Sequence, residues 1–292
     1  MTTRLHRAAR WYAQHGWRIF PLRPHTKEPF KDLGVYLATD DLAQIDAWWK
    51  RWPSANVGLN CGGSGIIALD ADSYKDTYAG EGLLTLEDEQ TLTSLTGSGG
   101  THLLWKMPDG ATYGNATGNL PKGVDVRGMG GYIVLPPSIH PNGNAYQWEA
   151  GYGPHEMPIA PLPEWLDIVL ETCTQALADV SFSVQDADKP DIMQWRISRR
   201  TVERIETAPE RGIRSETDQS VITALVAAGA SNDEILGVFQ HYPIGTDGKF
   251  AEKGRNALRY LAHSIAHART WHANKQADER LQRAETLLRM AA

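Results

Sequence analysis

The chain has 292 residues, of which 41% are hydrophobic and 22% charged, the composition of a globular protein with one large domain or two average ones. It contains no run of about eighteen apolar residues, so the sequence predicts no membrane span. A formal net charge of -6 excludes a strongly basic protein that would hold nucleic acid through its overall field. Any such partner must be met by local basic patches.

The cysteine content limits the metal sites that the chain can form. Cys61 and Cys173 are the two cysteines of the sequence, and they lie far apart. Two cysteines cannot form a four-cysteine zinc ribbon, so we expect no zinc, and nothing supports a disulfide. A reducing cytoplasm is the expected setting.

The first half of the chain alternates short helical and strand patterns. Hydrophobic periodicity predicts a helix over 4–15, a strand over 17–22 and a second helix over 39–49. Short apolar runs bounded by Gly, Asn and Pro predict further strands. These strands cover 56–60, 65–70, 102–105, 124–126, 131–135 and 145–148. The first two are expected to pair as a hairpin, within an α+β domain that has a mixed or antiparallel sheet.

From about residue 163 the strand pattern stops and helical patterns take over. A helix is predicted over 164–178, and the polar, aperiodic segment 181–190 is predicted to be a linker. Further helices are predicted over 191–206, 217–228, 232–241, 252–269 and 275–290. The sequence therefore predicts two domains, 1–180 and 191–292, of which the second is a small all-α bundle.

A pair of carboxylates ends one of the predicted strands. Side chains alternate faces along a strand, so Asp70 and Asp72 are expected to project to the same side. Two unpaired carboxylates about 6 Å apart repel by roughly 3 kcal/mol at an effective dielectric constant near 20. A divalent cation such as Mg²⁺ or Mn²⁺ would offset this repulsion. The alternative is that the pair caps a turn at the strand end.

A glycine-rich segment precedes a histidine at the start of the next predicted strand. Backbone N–H groups in such a segment can approach a phosphate, and Ser98 and His102 would add a hydroxyl and an imidazole donor. The alternative is a flexible hairpin followed by a histidine that bonds to the backbone.

A third carboxylate, Asp125, lies between two valines in a predicted strand, where an aspartate is disfavoured by propensity. Three carboxylates can hold two metal ions about 4 Å apart. A salt bridge to Arg127, two residues further on, is the competing explanation.

Taken together, these segments resemble the primase-polymerase (prim-pol) branch of the archaeo-eukaryotic primase superfamily. That family has a strand ending in Asp-x-Asp or Asp-x-Glu, then a Ser-x-His or Ser-Gly-Gly-x-His segment, then an acidic residue in a hydrophobic strand. The resemblance covers roughly 5–165. Flanking segments share it: Pro21-Leu22 with Lys27 and Pro29, Asn56-Val57-Gly58, and Arg127-Gly128 running to Pro136-Pro137-Ser138. Residues 211–268 resemble the helical domain that follows the catalytic core in many such proteins.

The resemblance implies an RRM-like palm in which Asp70, Asp72 and Asp125 hold two ions of Mg²⁺ or Mn²⁺. The triphosphate of a dNTP or NTP would be contacted by Ser98, Gly99, Gly100 and His102, with Lys27, Lys106 and Arg127 as further contacts. The implied activity is template-dependent synthesis on single-stranded DNA, with or without a primer, in plasmid, phage or mobile-element replication. A helicase, as a further domain or a separate protein, is the additional partner that the resemblance suggests.

Two basic groups in the helical region are predicted to bind DNA, although solvated surface is the plainer explanation. They are Arg196, Arg199, Arg200 and Arg204, and then Lys253, Arg255 and Arg259. Two other functions remain open at this point. One is a catalytically inactive primase fold that serves as a DNA-binding replication-initiation module, and the other is an Asp-x-Asp glycosyltransferase or metal phosphoesterase.

Overall fold

The computed structural model describes residues 2–85, 88, 90–116 and 120–291, with side chains as far as residue 276 except 274. The chain forms two compact units, Met1–Glu171 and Thr172–Ala292, named here the sheet unit and the helical unit. The combination of helices and antiparallel sheets confirms the predicted α+β class. No helix in the described ranges has the length and apolar character needed to cross a membrane.

Two helices begin where polar side chains cap them. Thr3 caps α1 (Arg4–Gln14) and Asp41 caps α2 (Leu42–Arg51), each side chain accepting a backbone N–H of the first turn. The second helix starts later than predicted, because Asp41 is its N-cap. Asp46 of α2 accepts hydrogen bonds from His6 and Arg10 of α1, and so ties the two helices together.

The strands of the sheet unit form two sheets. They are β1 (Ile19–Leu22), β2 (Asn56–Asn60), β3 (Ile66–Ala71), β4 (Leu92–Leu95), β5 (Thr101–Lys106), β6 (Val124–Arg127), β7 (Tyr132–Leu135), β8 (Gln147–Trp148) and β9 (Ala160–Pro161). The first sheet has the antiparallel order β1-β2-β7. The second has the antiparallel order β6-β3-β5-β4-β8, with β9 parallel to β5. Strands β4 and β9 were not predicted from the sequence.

The predicted hairpin between β2 and β3 is wrong, because these strands belong to different sheets. Beyond β2, the N–H groups of Cys61 and Gly62 continue to bond with the chain around β7, donating to Gly131 and Gly128. A 3-10 turn over Gly62–Ser64 and a left-handed Gly65 (φ +66°) then redirect the chain into the second sheet. The buried run Ile66–Leu69 makes β3 the strand between β5 and β6.

The remaining helices are α3 (Glu164–Ala178), α4 (Arg199–Glu206), α5 (Arg214–Ala227), α6 (Asn232–His241), α7 (Pro243–Thr246), α8 (Lys249–Glu252) and α9 (Ala257–Ala291). The helical unit has its own core, which includes Val221, Leu225, Phe239, Leu261 and Ile265. Helix α9 replaces the two helices predicted over 252–269 and 275–290. The sequence between them contains no Gly or Pro that would end a helix.

The segment predicted as a linker, 181–190, is not free chain but packs along α6. The Ser183 N–H donates to Asp233, and the Ala187 N–H donates to Gln240 at 2.8 Å. Ala187 itself is buried in the helical core. The segment was misread because its contacts are polar and backbone-mediated, and these leave no hydrophobic period in the sequence.

Candidate active site

The register of three neighbouring strands aligns the predicted site residues in one row. Asp70 on β3 lies directly opposite His102 on β5 and directly opposite Asp125 on β6. Directly opposite residues of an antiparallel pair project from the same face of the sheet. The two carboxylates and the imidazole therefore share one face.

A cavity of about 450 Å³ opens on this face. Asp72 joins it from just beyond the end of β3, where its N–H donates to the Gly123 carbonyl at 2.8 Å. Lys27 and Arg127 also line the cavity, as predicted residues that the fold brings to the carboxylates. Further lining residues were not singled out from the sequence: Tyr74, Lys75, Asn115, Tyr132 and Tyr146. The three-residue spacing of Asp72 and Lys75 is the one sequence signal that could have found Lys75.

The carboxylates of Asp70 and Asp125 are held where ionisation is unfavourable. Burial raises the pKa of Asp70, and repulsion from Asp72 raises it further. Burial also raises the pKa of Asp125, against the opposing effect of Arg127, and Asp70 adds repulsion. A bound cation would favour the ionised form of both carboxyl groups and so lower their pKa.

Each of the three carboxylates has a partner within the protein. Asp72 forms an ion pair with Lys75, and Asp125 forms one with Arg127 at 3.0 Å. The Oδ1 atom of Asp70 lies 3.5 Å from Nε2 of His102. Within the described part of the chain, no three His, Cys, Asp or Glu side chains stand close enough together to hold an ion as they are placed. A shared ion therefore requires side-chain rotation away from Lys75 and Arg127, with the backbone register unchanged.

His102 is a buried, neutral imidazole. Burial, with help from the charges of Lys27 and Arg127, lowers its pKa to about 3. Its ring lies nearly parallel to that of Tyr146, with centroids 6.1 Å apart. At neutral pH the ring offers one N–H donor and one acceptor, so it acts by hydrogen bonding and not by charge.

The glycine-rich segment forms a tight turn between β4 and β5 and does not reach the cavity. The N–H groups of Gly99 and Gly100 are used inside the turn, donating to Thr96, whose hydroxyl also bonds Ser98 at 3.1 Å. Ser98, Gly99 and Gly100 are absent from the described lining of the cavity. The prediction that they contact a triphosphate is therefore not supported by their positions.

Two positions of this turn require glycine, because neighbouring atoms leave no space for a Cβ. A Cβ on Gly100 would lie 2.5 Å from the Ala71 carbonyl oxygen on β3, and a Cβ on Gly97 would overlap His140. Both Asn142 and Asn144 donate to the Gly97 carbonyl. The turn thus fixes β5, and with it His102, against β3.

The predicted contact of Lys106 with a triphosphate is not supported, because Lys106 lies at the opposite end of β5 from His102. It is opposite Ile66 in the register, pairs with Asp109 at 3.9 Å and lines a separate cavity. Four residues of strand span about 13 Å, which separates Lys106 from the carboxylates. Lys27, by contrast, is held at the cavity because its carbonyl accepts a hydrogen bond from Tyr132 at 3.0 Å.

The basic residues of the helical unit are largely exposed. Arg199 pairs with Glu203, four residues along the helix, and Arg204 donates to Ser220. The ammonium of Lys253 lies 5.4 Å from the centre of the Tyr260 ring. The other members of the two groups are exposed: Arg196, Arg200, Arg255 and Arg259. DNA binding by these residues stays a prediction.

The sheet unit thus brings carboxylates and cationic side chains together in one cavity. Comparison with known proteins gives the family. The model of the bifunctional DNA primase/polymerase N-terminal domain matches residues 9–165, more than half of the chain, and the chain belongs to this family. No curated protein matches the chain. The family match confirms the primase-polymerase resemblance of the first part of the chain and indicates a function in DNA synthesis at the general level. The resemblance of residues 211–268 to a helical domain stays a prediction.

Proposed function

We propose that this protein is a nucleotidyltransferase that builds DNA on a single-stranded template from dNTPs or NTPs, using Asp70, Asp72 and Asp125 with two ions of Mg²⁺ or Mn²⁺. The observation that carries the proposal is the row of Asp125, Asp70 and His102 across β6, β3 and β5. These residues all lie within the part of the chain that matches the family.

The donor set fits the proposed ions. Mg²⁺ and Mn²⁺ prefer oxygen ligands, and the cavity offers three carboxylates, two of which are destabilised by burial when ionised. When bound, the ions would acidify the attacking hydroxyl and neutralise charge on the triphosphate.

The other lining residues support binding of the nucleotide. Lys27, Lys75 and Arg127 give the cavity a positive rim that attracts phosphate oxygens. Arg127 and Lys75 can exchange their carboxylate partners for phosphate as the carboxylates turn toward the ions. Neutral His102 positions a hydrogen bond at the floor of the site without adding charge.

Membership of this family also suggests the replication system in which the protein works. Replication of a plasmid, phage or mobile element would supply the template, and a helicase would expose the single strand. The exposed arginines of the helical unit would hold the template or first nucleotide when a chain is started. Replacing Arg196 and Arg200 by Gln should then reduce unprimed synthesis more than primer extension, whereas equal loss of both would contradict this role.

The test of the main proposal is incorporation of labelled nucleotide on a defined template, with and without primer, under Mg²⁺ and Mn²⁺ separately. We expect metal-dependent, template-directed incorporation that falls at least about 100-fold in Asp70→Asn, since two-metal sites rarely tolerate loss of a ligand. Asp109→Asn, which changes an exposed carboxylate of the same unit, is the matched control and should retain wild-type activity.

Two results would contradict the proposal. Folded wild-type protein that binds DNA but incorporates no nucleotide would indicate the inactive replication-initiation module. Incorporation by Asp70→Asn at the wild-type rate would show that the chemistry lies elsewhere.

A further inference from the structure

A second cavity of about 710 Å³ lies in the sheet unit beside the candidate active site. Helix α1 forms one side, and the segments 136–137, 145–148 and 154–155 form the other. Tyr146 lines both this cavity, named here the α1 groove, and the cavity of the carboxylates. The two spaces are therefore neighbours that share one aromatic side chain.

One face of α1 supplies positive charge to the groove. Arg4, Arg7, Ala8 and Trp11 line it, and their i, i+3, i+4, i+7 spacing places them on the same side of the helix. The opposite side of α1, with Ala9 and Ala13, is buried in the core. The helix thus uses one face for packing and presents the other to solvent.

The two arginines are exposed and lack a carboxylate partner among the described residues. Arg7 donates to the Thr2 carbonyl, whereas Arg10, on another side of the helix, is neutralised by Asp46. Two uncompensated positive charges one helical turn apart therefore border the groove.

The groove also has a fixed aromatic wall. The indole N–H of Trp148 donates to the Tyr12 hydroxyl at 3.1 Å, and that hydroxyl donates to the Pro136 carbonyl at 2.6 Å. The ring of His155 meets that of Trp11 edge-on, with centroids 4.4 Å apart. These contacts hold the rings in place before anything binds.

We propose that the α1 groove binds unpaired DNA of the template strand, with Arg4 and Arg7 contacting phosphates and the aromatic wall contacting bases. Flat aromatic faces next to cations are the combination that single strands recognise, because every unpaired base exposes a π-face. A duplex hides these faces, and the unpaired strand on a polymerase is the template. The inference rests on the proposed function for the identity of the strand, and Tyr146, which lines both cavities, places the groove next to the nucleotide cavity.

The test is the salt dependence of single-stranded DNA binding, measured by fluorescence anisotropy of a labelled oligonucleotide without nucleotide or divalent cation. The full chain is compared with Arg4→Gln/Arg7→Gln from about 50 to about 200 mM KCl. We expect weaker binding, and a slope of log K against log salt that is shallower by about 1.4, since each lost single-strand phosphate contact removes about 0.7. Arg18→Gln/Lys50→Gln removes two other exposed cations of the same unit and should leave the slope unchanged.

A second readout locates the strand. A photoreactive base in the same oligonucleotide should cross-link to peptides containing Trp11 or Trp148 in the wild type. The yield should fall in the Arg4→Gln/Arg7→Gln variant.

The inference is overturned if the arginine variant matches the wild type in affinity and slope, or if the wild type does not bind single-stranded DNA. Failure of the proposed function has a different signature. In that case the slope of log K against log salt is still shallower in the arginine variant than in the wild type, while the wild type incorporates no nucleotide. If the wild type incorporates nucleotide but its slope is insensitive to Arg4 and Arg7, the groove fails and the proposed function stands.

Discussion

Asp70 on β3 lies directly opposite Asp125 on β6, so two carboxylates face each other across one pair of strands. Like charges in this arrangement are destabilising, and burial adds to the strain by raising the pKa of both groups. Proteins retain such unfavourable arrangements mainly where function requires them. The pair is thus the structural feature that best supports the proposed cation-dependent site.

Replacing Asp70 by Asn should stabilise the metal-free protein while it abolishes activity. The neutral amide removes the repulsion from Asp125 and Asp72, and we expect the free energy of unfolding to rise by about 1 kcal/mol. Urea unfolding in the presence of a chelator measures this change, with Asp109→Asn as the control. A lower stability of Asp70→Asn would show that the contact with His102 outweighs the repulsion.

Gly100→Ala should disturb both the fold and the site. The added Cβ meets the backbone carbonyl of Ala71, which cannot move away easily, so β5 must shift relative to β3. We expect a loss of about 2 kcal/mol of stability, within the range for overpacked sites, together with reduced incorporation as His102 leaves its register with Asp70. Gly34→Ala is the matched control, because a Cβ there meets no atom within 4 Å and φ is -128°. Similar stabilities of the two variants would disprove the close approach.

Lys75→Ala should tighten metal binding. Lys75 forms an ion pair with Asp72 when no cation is bound. An exposed ion pair of this kind contributes up to about 1 kcal/mol, so its loss should raise the affinity for the metal by about fivefold. Calorimetric titration with Mn²⁺ in the absence of nucleotide checks the effect. Lys106→Ala removes a lysine from the far end of β5 and should leave Mn²⁺ affinity unchanged. Weaker Mn²⁺ binding by Lys75→Ala would contradict the competition between lysine and cation.

Asp218 should make the helical unit less stable as the pH rises. It is fully buried, its Oδ2 accepts a hydrogen bond from Tyr260 at 2.8 Å, and burial raises its pKa to about 6. The folded unit therefore binds this proton more tightly than the unfolded chain. The stabilisation is complete below about pH 4 and is lost as the pH rises through about 6, a change of about 2–3 kcal/mol.

Hydrogen exchange of the α5 amides measures that stability within the intact chain. The wild type should show less protection at pH 7 than at pH 4 after correction for intrinsic exchange, and Asp218→Asn should remove most of the difference. A pH dependence that is the same in both proteins would assign the effect to other groups.

The sequence was sufficient to predict that three carboxylates lie close together, as their shared cavity shows, but not to predict the strand pairing around them. Asp70, Asp72 and Asp125 could be identified because carboxylates next to buried apolar runs are rare and need a reason. The partners of β2 could not be identified, since the turn at Gly62–Ser64 looks like a hairpin locally and the strand β7 lies more than seventy residues away.

The misassigned contacts have a common physical cause. Lys106 is four residues from His102 in sequence but at the other end of a strand, and a pattern of residue types does not report that separation. The turn at Gly99 and Gly100 resembles a phosphate loop in composition. Its N–H groups are already used, because the turn is closed by Thr96.

The proposed function requires that Asp70, Asp72 and Asp125 bind the catalytic cations together. Its most direct test is the number of Mn²⁺ ions bound per chain, counted by electron paramagnetic resonance with primed template and a non-reactive nucleotide present. We expect about two ions for the wild type and fewer than one for Asp70→Asn, with Asp109→Asn unchanged. A wild-type protein that binds no Mn²⁺, or an Asp70→Asn variant that binds the full number, would contradict it.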